Sequence, residues 1–302
     1  MSIRSPMVFG FGVILVFLCM TSVRGDAAPL TNEKPNRIVS DTKVVKLARG
    51  FRFTEGPASD SRGNVYFSDI PASCIHKWST NGVLTTFRKN TGRSNGLYFS
   101  RNGDLFVCEG GNRRVTLISK NGNFTIIADK YNGKKFNSPN DLWVDPEGGI
   151  YFTDPRYGKQ DDMEQNGFCV YYIPPDKRTV IRVVDDLVKP NGIVGTADGK
   201  HLYVADPGDG KIYVYEITEK GLVKNRKLFV EEKCDGMTLD EYGNLYITSD
   251  SVLVYDKNGN RIANIEVPEK PSNVCFGGPN RQKLFITART GLYAICMNVR
   301  GI

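Results

Sequence analysis

The sequence predicts an all-β protein, a six-bladed β-propeller of four-stranded antiparallel blades, on three observations. A strand-like segment recurs six times, beginning at Gly63, Gly103, Gly148, Gly199, Gly243 and Arg281, at intervals of 40, 45, 51, 44 and 38 residues. Within the intervals, short apolar runs are separated by turn residues, among them Asn81-Gly82, Asn121-Gly122 and Asn258-Gly259. No segment sustains a 3.6-residue apolar period, so helices should be scarce. Units of this length, each holding up to four short strands, close radially into a propeller.

Taken in chain order, "KVVKLAR" at Lys43–Arg49 precedes the first unit. The last unit shows only three strands of its own, "NVCFG", "KLFITA" and "GLYAICM", so the N-terminal strand can fill its outer position, join the chain ends and hide an edge. The first unit runs "GNVYFSD", "CIHKW", Asn81-Gly82, "VLTTF"; the second runs "GDLFVCE", "RVTLIS", Asn121-Gly122, "FTII". Asn-Gly between such runs reads as a hairpin with positive φ at both turn positions. The third unit is lengthened by an insertion carrying Asp161, Asp162 and Glu164, read as a solvated loop on a face where loops carry specificity. The domain reading is a leader at 1–25, an exposed linker at 26–42 and a single propeller at 43–302.

Arg4 followed by the unbroken apolar and glycine run Met7–Met20, with Gly25 at a plausible cleavage point, reads as a secretory signal. That run is too short to span a bilayer comfortably. The expectation is an exported protein, periplasmic or secreted, with no membrane association once the signal is removed. The net charge of +7 is too mild to argue for nucleic acid, and no Lys/Arg cluster with interleaved aromatics occurs. Cys74, Cys108, Cys169, Cys234, Cys275 and Cys296 show no C-x-x-C pairing and read as compact buried thiols, with one disulfide left open. Asn123-Phe124-Thr125 is a glycosylation sequon, relevant only in a host that modifies exported proteins.

Eight residues before each repeat start stand Glu55, Asn95, Asn140, Asn191, Asp235 and Asn273, every one an acid or an amide. If each begins the innermost strand of its blade, the six converge at one end of the channel. Asn and Asp also form turns, but Glu55 does not, and two carboxylates facing amide carbonyls make an all-oxygen cavity suited to a hard cation such as Ca²⁺. A second set, Asp69, Glu109, Asp154, Asp206 and Asp250, lies 14 or 15 residues further on and should surround the first, orienting its amides and adding negative field.

"GRSNG" at Gly92–Gly96 matches the nucleophile-elbow pattern, but it leads into the strand "LYF" where that motif needs a helix. With only His76 and His201 in the chain, both read as structural, a serine triad through Ser94 is disfavoured.

"EGP" at Glu55–Pro57, "SPND" at Ser138–Asp141, "YFTDP" at Tyr151–Pro155, "PNGI" at Pro190–Ile193, "CDGMTLDEYGNLYI" at Cys234–Ile247 and "NVCFGGPN" at Asn273–Asn280 together resemble the gluconolactonase / senescence-marker-protein-30 / luciferin-regenerating-enzyme family. The resemblance implies one divalent metal, usually Ca²⁺ with Zn²⁺, Mn²⁺ or Mg²⁺ as alternatives, held by Glu55, Asn140, Asn191 and Asp235. It moves Asn95 and Asn273 to the substrate side and makes Asp235 the general base. The implied activity is opening of a sugar lactone, a small-molecule substrate. Two alternatives stand beside it: hydrolysis of another activated ester or phosphotriester at the same metal, and a non-catalytic sugar- or partner-binding propeller with a structural ion.

Overall fold

The computed structural model describes residues 1–2, 37–40 and 42–302. The leader read at 1–25, its first two residues apart, and residues 26–36 and 41 of the linker read at 26–42 lie outside the described residues. Among the described residues there is no helix, and six four-stranded antiparallel sheets carry all strands except one small hairpin, Lys130–Tyr131 with Lys134–Lys135. The first strands of the six sheets are Thr54–Ser59, Ser94–Phe99, Leu142–Val144, Ile193–Gly195, Met237–Leu239 and Pro271–Gly277. These contact one another in chain order, and the last contacts the first. The sheets are therefore the six blades of a closed propeller with the first strands around its channel.

Closure takes the route read from the chain ends. Val45–Arg49 pairs antiparallel with Gly291–Cys296 as the outer strand of blade six, Val45 opposite Ala294 and Arg49 opposite Gly291. Glu269 fastens this seam by accepting hydrogen bonds from Lys46 Nζ at 3.1 Å, Tyr293 Oη at 2.6 Å, and Thr290 N and Oγ1 at 2.8 Å each. Burial alone would raise its pKa, but these donors outweigh burial and hold the carboxyl down at about 2.

The repeat itself has a local cause. In each blade the turn between the first two strands ends on a residue whose N–H donates to the carbonyl three residues back: Gly63 to Asp60, Gly103 to Ser100, Gly148 to Asp145, Gly199 to Thr196, Gly243 to Asp240 and Arg281 to Gly278. That residue is left-handed in all six, from φ +89° at Gly148 to φ +55° at Arg281, and glycine reaches this region without steric cost. The Asn-Gly turns follow the same rule and correct the expectation of two positive φ values. Only Gly82, Gly122 and Gly259 are left-handed, donating to Ser79, Ser119 and Asp256; these are type I turns followed by one left-handed residue.

The second strands Val65–Asp69, Leu105–Glu109 and Ile150–Asp154 are buried along their whole length because neighbouring blades cover both faces. That is why they read as continuous apolar runs rather than alternating ones. Outer strands such as Leu84–Lys89 are almost wholly exposed and leave a weaker signal. Apolar clusters fill the interfaces between blades; one joins blades three, four and five through Trp143, Tyr151, Leu202, Val204, Met237 and Leu245. Each such side chain contributes roughly 1.5–3 kcal/mol on burial. All six described cysteines are free, four of them buried, with Cys74 half-buried and Cys296 exposed.

Candidate active site

At one end of the channel a cavity of about 1020 Å³ opens, and Glu55, Asn95, Asn140, Asn191 and Asp235 line it, one from each of blades one to five. Five of the six positions found by counting back from the repeat thus meet in one place. The sheet ladders anchor their backbones: Asn140 N donates to Thr153 O at 2.9 Å, Asn191 N to Ala205 O at 2.9 Å and Asp235 N to Thr248 O at 3.0 Å.

What brings them together is the residue that follows each. Gly96 N donates to Asn140 O at 2.8 Å, Gly192 N to Asp235 O at 2.8 Å and Gly236 N to Ser272 O at 2.9 Å, so each blade hangs on the next. A Cβ at Gly56 would stand 2.0 Å from Asn95 O, one at Gly192 2.4 Å from Asp235 O, and one at Gly236 2.0 Å from the Asn273 side chain. The glycines after Glu55, Asn95, Asn191 and Asp235 therefore serve close approach of blades around the channel. Side-chain hydroxyls add ties between blades: Ser68 to Asn95 O at 2.8 Å and Thr153 to Asn191 O at 2.6 Å.

Blade three breaks this pattern, placing Asp141 where four other blades have glycine. Asp141 was not singled out for the site by spacing, although the substitution of an acid for that glycine was the available signal. It is buried, donates nothing, and accepts from Leu142 N at 2.9 Å. Burial, with a smaller push from the charge of Asp235, raises its pKa to about 7 against the pull of Leu142 N–H and Asn273. Burial first, and next the charge of Asp235, raise Glu55 well above the usual carboxylate range. Burial likewise lifts Asp235 to about 6, opposed by the Asn191 amide and by the fields of Arg289 and Lys270. Among the described residues none of the three carboxylates is in an ion pair.

Asn191 Nδ2 donates to Asp235 Oδ1 at 2.7 Å and to Tyr157 Oη at 2.8 Å. Both amide hydrogens are engaged, so Oδ1 is its remaining polar atom. The Asn95 and Asn140 amides line the cavity without a protein hydrogen-bond partner among the described residues. No group of three or more His, Cys, Asp or Glu able to hold an ion occurs among the described residues; the ring instead mixes two carboxylates with amides.

Two expectations need correction. Asn273, read as substrate-side, does not line the mouth cavity. Its Oδ1 accepts from Val274 N at 2.8 Å and its Nδ2 approaches Asp141 Oδ2 at 3.4 Å, beside a space of about 100 Å³ that Asp141 also lines. The second set of acids touches backbone, not the ring amides. Asp69 accepts from Arg52 N and Phe53 N at 3.0 and 3.1 Å, Asp154 from Asn137 N and Ser138 N at 2.8 and 2.7 Å, Asp206 from Val188 N and Lys189 N at 2.8 and 2.7 Å. Each clamps the segment leading into the ring residue of its own blade. Glu109 binds Arg114 Nε at 2.8 Å, Asn112 Nδ2 at 2.6 Å and Thr116 Oγ1 at 3.0 Å, and Asp250 is an exposed partner of Lys270 at 2.7 Å, so neither shares that role. The acids of the third-blade insertion, Asp161, Asp162 and Glu164, are exposed as the solvated-loop reading has it, and the loop is also tied down: Asp162 pairs with Arg156 and, at 3.5 Å, with Arg113, while Glu164 takes Lys135 N at 2.9 Å. It carries Arg156, Tyr157 and Lys159 to the cavity wall.

Ser94 is buried and its hydroxyl is taken up by Thr91 at 2.8 Å and Ser68 at 3.1 Å, neither of them a base. His76 packs against Phe51 and Phe67 at centroid distances of 4.9 and 5.5 Å, and His201 is exposed at the head of its strand.

Fold and cavity together define a six-bladed propeller with an acid-and-amide ring at the mouth of its channel. The SMP-30/Gluconolactonase/LRE-like region family matches residues 53–290, and the chain belongs to that family. It is 31% identical over 283 residues to a gluconolactonase of Zymomonas mobilis subsp. mobilis, covering 82% of this chain and 79% of that one. It is 26% identical over 270 residues to the pentonolactonase XacC of Haloferax volcanii, covering 83% and 85%. Among solved structures, a gluconolactonase from Xanthomonas campestris superposes with a TM-score of 0.80 at 29% identity, over 86% of this chain and 91% of that one.

Proposed function

We propose that the protein hydrolyses a sugar lactone, in the manner of a gluconolactonase, with one divalent cation, Ca²⁺ foremost, in the ring of Glu55, Asn140, Asn191 and Asp235. The observation that carries this reading is the meeting of two carboxylates outside any ion pair among the described residues and two carbonyl-bearing amides at an accessible cavity. The lactonases to which the chain is similar along most of its length support the reaction class. The four donors fit a hard cation, which takes six to eight oxygens and leaves room for water and substrate. When bound there, it would polarise the lactone carbonyl and favour charge on its oxygen.

The chain's own residues do the rest. Asn191 Nδ2 fixes Asp235 through Oδ1, which leaves Oδ2 to take a proton from the water that adds to the carbonyl carbon. The ring C–O bond then breaks, the proton passes to the departing alkoxide oxygen, and the open-chain hydroxy acid that remains ionises to the carboxylate, releasing one proton to solvent. Tyr157 stays a phenol because burial, and then the field of Asp235, push its pKa upward, so its hydroxyl can donate to a substrate oxygen. Asn95, with a free amide on the opposite wall, orients substrate hydroxyls. The leader read at 1–25 would place this chemistry outside the cytoplasm.

The test is proton release from D-glucono-1,5-lactone in a pH-stat, measured against the spontaneous rate for the wild type and for Asp235→Asn. Wild-type turnover that falls by about 10²–10⁴ in the variant is the expected outcome. A wild type no faster than buffer, or a variant as fast as wild type, contradicts the reading.

A further inference from the structure

The lower part of the cavity holds its only two acids, Glu55 and Asp235, whereas six cationic side chains line it: Arg52, Arg93, Arg156, Lys159, Lys233 and Lys270. Their positions follow the repeat. A basic residue stands two or three places ahead of the ring residue in five of six blades: Arg52 before Glu55, Arg93 before Asn95, Lys189 before Asn191, Lys233 before Asp235 and Lys270 before Asn273. With 40 Lys and Arg in 302 residues, composition alone would put a basic residue in that two-place window in about one blade in four. Blade three has Ser138 at that place, and its sector is filled by Arg156 and Lys159 from the insertion.

Some of these charges are already committed. Lys270 pairs with Asp250, Arg156 pairs with Asp162, and Lys189 lies over the Tyr157 ring at 5.0 Å. The side chains of Arg52, Arg93, Lys159 and Lys233 have no ion-pair or hydrogen-bond partner among the described residues, and all four residues are exposed. A divalent cation at the ring would neutralise both acids, leaving the wall with a positive field and no other acid among the described lining residues to answer it. A neutral sugar lactone gains nothing from that field.

We propose that the rim is an anion subsite and that the preferred substrate is a lactone bearing a negatively charged group, carboxylate or phosphate, on the carbon chain away from the reacting carbonyl. The proposal rests on the lactonase reading and adds the substrate class. The ring of oxygens receives the lactone end; Arg52, Arg93, Lys159 and Lys233 receive the anionic end, with the guanidinium pair able to bind it bidentately. The same field raises the encounter rate of an anionic substrate and is screened by salt.

The experiment compares matched pairs on the wild-type, Ca²⁺-loaded protein: D-glucono-1,5-lactone with its 6-phosphate, and D-glucono-1,4-lactone with D-glucaro-1,4-lactone. The expected result is a kcat/KM at least about tenfold higher for the anionic member at an ionic strength of 0.01 M, narrowing as the Debye length shrinks from about 30 Å to about 10 Å at 0.1 M. The pair with the larger ratio identifies the anion. The double variant Arg52→Gln/Lys233→Gln should cut that ratio at least fivefold. Equal kcat/KM within each pair, or a ratio indifferent to salt and to the double variant, overturns the proposal while leaving the lactonase reading intact. Calorimetric binding of D-glucitol and D-glucitol 6-phosphate gives a readout independent of turnover. Tighter, salt-sensitive binding of the phosphate that weakens in the double variant supports the subsite even if no lactone is hydrolysed, an outcome that would fell the lactonase reading alone. Phosphate binding unchanged by the double variant means the anion sits on the cation, and overturns the subsite.

Discussion

Gly192→Ala isolates the close approach that assembles the ring. The backbone at Gly192 is not left-handed, so the substitution tests space alone. The new Cβ would lie 2.4 Å from Asp235 O, while an unstrained contact begins near 3.4 Å, so blades four and five must part by about 1 Å. The Gly192 N to Asp235 O bond, 2.8 Å in the native structure, would open beyond hydrogen-bonding range. Overpacking at about 1–3 kcal/mol and a carbonyl left unpaired at about 1–3 kcal/mol give a loss of roughly 2–6 kcal/mol. For a chain of this size that is a fall in Tm of roughly 5–15 °C. Asp235 moves with its backbone, away from the Asn191 amide that holds it at 2.7 Å, so Ca²⁺ affinity should fall at least about tenfold. The assay is differential scanning calorimetry with and without Ca²⁺, and calorimetric Ca²⁺ titration below the melting range. Gly122→Ala is the control: Gly122 is left-handed at φ +85° with nothing within 4 Å, so Ala costs about 1 kcal/mol of backbone strain and leaves Ca²⁺ binding alone. A Gly192→Ala protein with wild-type Tm and wild-type Ca²⁺ affinity would refute the reasoning.

Glu55→Gln should weaken Ca²⁺ binding by removing one of the ring's two formal charges; unchanged affinity in a calorimetric titration would move the site elsewhere. Ser94→Ala should leave kcat within twofold while costing about 1 kcal/mol of stability from the lost hydroxyl bonds, and a collapse of turnover would revive a serine nucleophile. Glu269→Gln probes the seam between the chain ends. The native pKa of about 2 lies below the ordinary value of 4.5, so this carboxylate contributes stability above about pH 4.5 that is lost as pH falls toward 2. After discounting for solvent screening, urea unfolding should show the variant about 1–2 kcal/mol less stable at pH 7, with the gap closing near pH 2. A constant gap across that range would assign the loss to packing.

The six repeats were readable because the left-handed turn that ends each first hairpin needs glycine at five of six places, and because strands covered on both faces must be apolar throughout. Counting back from that turn reached the channel, since the first strand and its turn have nearly constant length. Asp141 escaped the same count: spacing marks the ring position itself, and only comparison with Gly56, Gly96, Gly192 and Gly236 shows that an acid replaces a glycine. Tyr157 escaped because its loop has no period, and a local ion pair between Arg156 and Asp162 together with one from the distant Arg113 decide where it sits. Asp69, Asp154 and Asp206 were found by spacing, yet the groups they serve are backbone N–H donors, which carry no sequence signature of their own.

On the proposed function, lactone opening depends on a cation held by Glu55, Asn140, Asn191 and Asp235. The most direct test strips the protein with chelator, then titrates Ca²⁺ back in a pH-stat with D-glucono-1,5-lactone present. Turnover that vanishes on stripping and returns in step with a single bound ion per chain is the predicted result. Turnover that persists after complete stripping would contradict the account.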